Sequence, residues 1–250
     1  MKKLAVFIIP LLILSILLGS YVYLDSVRAF HEGNGGEYSL KNAGEVKDSP
    51  LSGMHILYLG SSVTNGSASM GLSFADYISA RNSATFVKEA VNGTTLVEGD
   101  GSYIERLEAS EGENFDMLIC QLSTNDATRG LSLGEPSLTD NPDKSTICGA
   151  IEYVILYARE RWDCSVVFYT GSYYESENYS AMVDALNEIA ELYGIGVIDL
   201  YTDAEFNDIS ESERALYMAD PIHPTRAGYL RWWTPKMEEY LYEFVCNGGK

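Results

Sequence analysis

Short apolar runs alternate along the chain with stretches whose apolar residues recur at helical spacing. The run Met117–Leu122 is almost continuously apolar, as expected for a strand buried on both faces of a sheet. In a typical helical stretch, Ile151, Val154 and Ile155 share one face. The predicted strands cover residues 55–59, 85–91, 117–122, 165–170 and 196–200. This alternation predicts one α/β domain with a parallel sheet, helices on both faces and right-handed crossovers.

Helices are predicted in most of the intervals between these strands. Phe74, Tyr77 and Ile78 share one face of a helix at about residues 70–82. Residues 127–144 show no periodicity and are predicted to form a long loop, and such loops in compact domains are often functional. The other predicted helices are one at about residues 103–109, one capped by Ser145 or Thr146, one at about residues 180–193, and a last one from about Thr225.

The N-terminal segment has the features of an export signal. Residues 4–24 carry no charge and follow Lys2 and Lys3, and a stretch of this length is long enough to cross a bilayer. The lysines would stay inside and the rest of the chain would be exported. A signal peptide could be cut after Val27-Arg28-Ala29, whereas an uncut segment would remain as an anchor. Its length and the polar stretch that follows favour the anchor.

These features predict three regions. Residues 1–29 form a signal peptide or membrane anchor, and residues 30–53, rich in Gly, Ser, Glu, Asp and Lys, form a linker or wrapping arm. Residues 54–250 form a single folded domain without internal repeats. The protein is therefore expected to be exported, either anchored to the membrane and facing outside or secreted.

Charge and cysteine content narrow the range of partners. The formal net charge of −19 argues against nucleic acid, because phosphate binding needs clustered Lys and Arg. The four cysteines do not have the spacing of metal ligands. No metal and no other cofactor is expected. Cys120 lies in an apolar run and is expected to be a buried thiol. Cys148 and Cys164 bracket a helix and should not bond each other.

Candidate chemistry follows the predicted strands. Ser62 follows the first apolar run in a small, polar turn, as a nucleophilic serine would at the carboxyl end of a buried strand. Serine needs a base, and the base needs an orienting group. Of the three histidines, His31 lies in the linker and His55 opens the first strand, away from the site, which leaves His223. Asp220 lies three residues before His223 and can bind its second ring nitrogen. A surface turn that caps a helix is the simpler alternative for this pair.

An acyl-transfer intermediate also needs hydrogen-bond donors for its oxyanion. The candidates are the backbone N–H of Ser62, the backbone at Gly93 and the side-chain amide of Asn125. Taken singly, Asn92-Gly93 could be an ordinary turn and Asn125 could be a helix cap. All three candidates nevertheless fall at the carboxyl ends of predicted strands.

The order of these candidate residues along the chain resembles that of the SGNH (GDSL-like) hydrolase superfamily, which is named for a Ser, a Gly, an Asn and a His in separate motifs. Here these are Ser62, Gly93, Asn125 and His223, and the resemblance spans about residues 54–245. It implies a flavodoxin-like three-layer α/β/α sandwich with strand order 2-1-3-4-5. It also implies a Ser62–His223–Asp220 triad, with the N–H groups of Ser62 and Gly93 and the Asn125 side chain as oxyanion hole.

One position departs from the pattern of the superfamily. Ser61 stands where the superfamily usually has Asp, directly before the nucleophile. Since the nucleophile is the following residue, this change leaves the triad intact. It also makes Ser61 an alternative candidate for the activated hydroxyl.

The resemblance implies a metal-independent serine esterase. We expect a short acyl group, such as acetyl, on a carbohydrate, because Tyr173, Tyr174 and Tyr179 follow the fourth strand and could stack on a sugar ring. Packing in the core is the alternative role for these tyrosines. Asp199 is a rival to Asp220 for the acid, although a structural role is favoured. The alternative functions are an O-acyltransferase, a lysophospholipase-type lipid esterase and a non-catalytic glycan-binding domain.

Overall fold

A computed structural model describes residues 30–110 and 114–249, together with the single positions 15, 19 and 27. Residues 1–29, predicted to be a signal peptide or anchor, therefore lie almost wholly outside the described residues. Within the described part of the chain, no helix combines the length and the apolar character that a membrane span requires.

Five parallel strands form one sheet in the order β2-β1-β3-β4-β5. This confirms the predicted fold class and strand order. The register pairs His55 with Thr85 on one side of β1 and Ile56 with Met117 on the other. The strands are β1 His55–Gly60, β2 Thr85–Ala90, β3 Met117–Gln121, β4 Ser165–Tyr169 and β5 Gly196–Ile198.

Helices cover both faces of the sheet, and each face has its own apolar core. Alternate residues of β1 point to opposite faces, so Leu57 and Leu59 join one core while Ile56 and Tyr58 join the other. The α-helices are α1 Ser62–Asn65, α2 Phe74–Arg81, α3 Tyr103–Ala109, α4 Thr124–Arg129, α5 Ile147–Trp162, α6 Glu177–Tyr193, α7 Ala204–Asn207, α8 Glu211–Tyr217, α9 Arg226–Gly228 and α10 Thr234–Cys246. A π-helical turn, Tyr229–Trp233, joins α9 to α10.

The helix boundaries follow from capping residues. The helix predicted from residue 70 begins at Phe74, because Ser73 and Asp76 form a capping box there. The helix predicted from about residue 180 begins at Glu177, because the Ser176 side chain accepts a hydrogen bond from the Tyr179 N–H. Helices α1, α4, α7 and α8 were not predicted. They contain four to seven residues, too few to establish a helical period.

The arm, residues 30–53, packs on the domain. Leu51 is fully buried in the core between the sheet and α10. The Tyr77 hydroxyl donates to the Tyr38 carbonyl at 2.5 Å, and the Val46 N–H donates to the Arg81 carbonyl at 2.7 Å. Residues 38–51 therefore pack against α2 and the core beside it, and Leu51 contributes to that core.

All four cysteines are free thiols, three of them buried and Cys246 exposed. Cys120 is fully buried in β3, as expected, and burial raises the pKa of its thiol well above the ordinary value. Trp232 and Trp233, in the π-helical turn, are both buried.

Candidate active site

The sharp turn after β1 places Ser62 at the start of α1. Gly60 is required there, because a side chain at this position would collide with Thr64. Ser62 is the first residue of α1, so its N–H has no partner within the helix. Ser61, the alternative nucleophile, is fully buried, and its N–H and hydroxyl both donate to the Gln121 side-chain oxygen, at 3.0 and 3.4 Å. Its hydroxyl is thus directed towards Gln121.

The structure brings Ser62, His223 and Asp220 together in a chain of hydrogen bonds. Ser62 Oγ lies 2.7 Å from His223 Nε2, and His223 Nδ1 lies 2.8 Å from Asp220 Oδ2. Both distances are within the reach required of a nucleophile, its base and the group that orients the base. Ser62 is 161 residues from His223 in the sequence, so only the fold creates this contact.

The turn before α9 holds Asp220 against His223. Asp220 Oδ1 accepts hydrogen bonds from the Ile222 and His223 N–H groups, at 2.8 and 2.9 Å. The Ala219 N–H donates to the His223 carbonyl, which closes the turn. Burial would raise the pKa of Asp220, but the hydrogen bonds from the His223 ring and from these N–H groups outweigh it and leave the pKa below its ordinary value. Asp220 is therefore ionised near neutral pH.

The loop after β2 carries Gly93 and is fixed by side chains from other elements. Gly93 has a φ of +77°, a conformation that favours glycine. The Asn125 amide donates to the Thr94 carbonyl at 2.9 Å, and Arg129 donates to the Gly93 carbonyl at 2.7 Å. Asn65, in α1, donates to the Asn92 side chain at 2.9 Å. The structure thus places Gly93, in the loop after β2, and Asn125, in the first turn of α4, at the same edge of the sheet as Ser62.

Two residues that sequence reasoning missed support these loops. The first is Gln121, the last residue of β3, whose side-chain oxygen accepts from the N–H and hydroxyl of both Ser61 and Thr64. A polar residue at the end of an otherwise apolar run was the available signal. Gln121 fixes the backbone on both sides of Ser62.

The second is Asp126, which is fully buried beside Asn125. Its carboxylate accepts from the Leu96 N–H at 2.8 Å and from the Val97 N–H at 3.0 Å. Burial raises the pKa of the Asp126 carboxyl, and hydrogen bonds from Ser123, Val97 and Leu96 oppose this rise only in part. Asp126 thereby joins the Gly93 loop to α4.

The predicted tyrosines separate into core and surface residues. Tyr179 is fully buried and donates to the Leu122 carbonyl, so it belongs to the core. Tyr173 is 53% exposed, and it lines a groove of about 480 Å³ together with Tyr174, Arg214 and Asp220. The remaining lining residues are Glu175, Glu211, Ala215, Met218 and Pro221. This groove adjoins the hydrogen-bonded chain on the side of Asp220.

The contacts of Asp199 agree with the structural role that the sequence favours. Its carboxylate accepts from the Thr170 hydroxyl, at 3.1 Å, and from the Thr202 hydroxyl, at 2.5 Å. Within the described residues, no group of three or more His, Cys, Asp or Glu side chains could hold a metal ion.

Comparison with known proteins agrees with this architecture. The family model described as the GDSL-like Lipase/Acylhydrolase family matches residues 58–231. The chain belongs to this family and hence to the SGNH hydrolase superfamily, whose members are serine hydrolases that act on esters. No curated protein matches the sequence.

Solved structures share the fold at low sequence identity. A protein from Lactobacillus plantarum is 20% identical, with 76% of this chain and 97% of that chain covered and a TM-score of 0.64. A member of the lipolytic protein G-D-S-L family from Veillonella parvula is 20% identical, with 74% and 97% covered and a TM-score of 0.57. An acetyl xylan esterase from the rumen bacterium Butyrivibrio proteoclasticus is 16% identical, with 80% and 66% covered and a TM-score of 0.52.

Proposed function

We propose that this protein is a serine esterase that forms an acyl-enzyme on Ser62. The observation that carries the proposal is the 2.7 Å contact between Ser62 Oγ and His223 Nε2. His223 takes the Ser62 proton as Oγ attacks the ester carbonyl, and it returns that proton to the departing alcohol. Water then gives its proton to His223 and attacks the acyl group, and Ser62 recovers the proton as the acid leaves. Asp220 holds the His223 ring in the required orientation throughout.

The oxyanion of each tetrahedral intermediate would be stabilised by the N–H groups of Ser62 and Gly93 and by the Asn125 side chain. The Arg129 hydrogen bond to the Gly93 carbonyl supports this role, because it fixes the loop on which that N–H lies. The Asn125 amide carries two hydrogens, and its bond to Thr94 uses one of them. The other remains for the substrate.

We propose a short acyl group, acetyl, on a neutral carbohydrate as the substrate class. The groove beside Asp220 supports this, because Tyr173 offers an exposed ring to a sugar while Arg214 and Glu211 offer hydrogen-bonding groups to its hydroxyls. The groove has three carboxylates, of Glu175, Glu211 and Asp220, against one guanidinium, which disfavours anionic alcohols such as glycerophosphates. The acetyl xylan esterase among the structural neighbours also motivates the proposal.

We further propose that the enzyme acts outside the cell, either anchored through residues 1–29 or secreted after their removal. The uncharged segment 4–24 and the lysines before it motivate this placement. Membrane fractionation of the full chain, with Edman sequencing of the mature N-terminus, tests it. Recovery of the intact N-terminus in the cytosolic fraction would contradict export.

The catalytic assignment is tested by variants of a chain that begins at residue 30. Ser62→Ala and His223→Ala should each abolish hydrolysis of an aryl acetate and labelling by a fluorophosphonate, while Ser61→Ala should retain both. Ser61→Ala is the matched control, because it removes the neighbouring hydroxyl. Loss of labelling in Ser61→Ala with retention in Ser62→Ala would reverse the assignment. A folded wild type with neither turnover nor labelling would contradict the enzyme function, and binding of glycans would then be measured.

The substrate class is tested with esters of increasing acyl length and with acetylated xylo-oligosaccharides. We expect kcat/KM to fall as the acyl chain lengthens beyond a few carbons. A preference for long acyl chains or for lysophospholipids would contradict the proposal. Transfer of the acyl group to added sugar in preference to water would identify an O-acyltransferase.

A further inference from the structure

The arm contacts both segments that carry the proposed nucleophile and base, although it lies outside the stretch that matches the family. The Asn34 side-chain amide donates to the Ala68 carbonyl at 2.9 Å. The Asn34 side-chain oxygen accepts from the Arg226 N–H at 3.1 Å. Ala68 follows α1, which begins at Ser62, and Arg226 is three residues after His223. One side chain thus bridges the two segments.

Two other hydrogen bonds join the same segments. Arg226 Nε donates to the Ser69 carbonyl at 3.2 Å, and the buried Tyr229 hydroxyl donates to the Val63 carbonyl at 2.6 Å. Together with the Asn34 bridge, they fix the position of α1 relative to the start of α9. The Ser62–His223 contact spans this same junction, so its length depends on how firmly the two segments are held.

Close packing places Asn34 in the junction. A side chain at Gly33 would lie 2.3 Å from the Leu216 carbonyl and 2.6 Å from the Thr225 hydroxyl, so the arm backbone lies directly against both. The Thr225 hydroxyl accepts from the Gly228 N–H and thereby caps α9. The arm is therefore fitted to the N-terminal end of the helix that follows His223.

We propose that Asn34 is a positioning residue, which sets the distance between Ser62 and His223 by bridging the segments that carry them. A misplacement of about 1 Å between reacting groups can lower a rate about a hundredfold, so a small relaxation of this junction is sufficient to reduce turnover. The kinetic consequence rests on the proposed function, whereas the bridge itself can be tested without catalysis.

The test compares Asn34→Ala with Asn42→Ala in the chain that begins at residue 30. Asn42 is a matched control, because within the part of the chain that the structure describes its amide donates to the Gly36 and Glu37 carbonyls and the Ser39 hydroxyl, all in the arm. We expect Asn34→Ala to speed hydrogen exchange at the Arg226 N–H and to lower kcat about tenfold with KM nearly unchanged. Asn42→Ala should leave both quantities as in wild type.

A conservative variant separates positioning from general stability. Asn34→Asp keeps an acceptor for the Arg226 N–H but loses the donor to Ala68, so it should restore protection at Arg226 and part of kcat. Gly33→Ala should displace the arm and reproduce the loss seen in Asn34→Ala.

Two results would overturn the role of Asn34. One is a lowered Tm in Asn34→Ala with kcat unchanged, and the other is exchange at Arg226 equal to that of Asn42→Ala. If wild type shows no turnover, the proposed function fails while the exchange comparison still decides whether the bridge exists.

Discussion

Replacing Asp126 by Asn should both destabilise the fold and loosen the loop that carries Gly93. In the folded chain the Asp126 carboxylate accepts from two backbone N–H groups, those of Leu96 and Val97. In the Asp126→Asn variant the side-chain oxygen would still accept from one of these two backbone N–H groups. The NH₂ group would face the second N–H, which would lose its hydrogen bond and remain buried without an acceptor. A hydrogen bond to a charged group contributes about 1.5–3 kcal/mol. Relief from burying a charge offsets part of this, so we expect a loss of about 2 kcal/mol at pH 7.

The sign of the pH dependence follows from the raised pKa of Asp126. A carboxyl whose pKa is higher in the folded than in the unfolded state binds more protons in the native state. The free energy of unfolding therefore increases as the pH falls from the folded pKa to the unfolded pKa, which is about 3.9. The Asn variant lacks this titration. The stability difference between wild type and Asp126→Asn should therefore be larger at acidic pH than at pH 7.

Urea unfolding of both proteins at several pH values, alongside aryl acetate kinetics, provides the assay. Asp143→Asn is the control, because Asp143 is exposed and, among the described residues, its carboxylate accepts from the N–H and hydroxyl of Ser145 in its own turn. We expect Asp126→Asn to lower kcat about tenfold through the Gly93 loop, and Asp143→Asn to leave it unchanged. A stability difference that shrinks on acidification, or an unchanged kcat, would refute the reasoning.

Three further predictions concern Gln121, Asp220 and Tyr173. Gln121→Leu should lower the free energy of unfolding, measured in urea, by about 2–3 kcal/mol and should also lower kcat, because the donors of Ser61 and Thr64 lose their acceptor. A fully active variant would contradict the role of Gln121 in fixing the backbone around Ser62. Asp220→Asn should lower kcat about a hundredfold or more in steady-state kinetics. Since the pKa of Asp220 is lowered in the folded chain, the ionised carboxylate stabilises the fold above about pH 4, and this contribution is lost on further acidification. The free energies of unfolding of wild type and Asp220→Asn should therefore converge as the pH falls below about 4. Tyr173→Ala should raise KM for acetylated xylo-oligosaccharides but not for aryl acetates. An equal effect on both substrates would contradict the proposal that the groove binds the sugar.

Much of the fold follows from local patterns in the sequence. The strands are predicted because parallel strands buried on both faces are continuous apolar runs, as Met117–Gln121 is in β3. The strand order came from the resemblance to SGNH hydrolases, since periodicity alone does not specify which strands pair. The long α5 is predicted because sixteen residues establish a period, and of the two predicted caps, Ser145 and Thr146, the structure has Thr146. Shorter helices such as α8, with seven residues, are not predicted because they are too short to establish a period.

The residues of the candidate site can likewise be divided into those that the sequence predicts and those that it does not. Ser62, Gly93 and Asn125 each follow a predicted strand, so the sequence places them at one edge of the sheet. His223 is predicted because it is the remaining candidate among three histidines and has Asp220 three residues before it. The supporting residues are polar side chains whose roles depend on distant partners. Gln121 contacts residues about 60 positions away in the sequence, and Asn34 contacts Arg226, 192 positions away. No local pattern marks such contacts, because they exist only after the chain has folded.

The central claim is that Ser62 carries the acyl group during turnover. The most direct measurement mixes the enzyme with an aryl acetate, quenches in acid within the first turnover, and maps the acetylated peptide by mass spectrometry, with Ser62→Ala in parallel. We expect acetyl on Ser62 in wild type and none in Ser62→Ala. Acetyl on Ser61, or turnover that continues in Ser62→Ala, would contradict it.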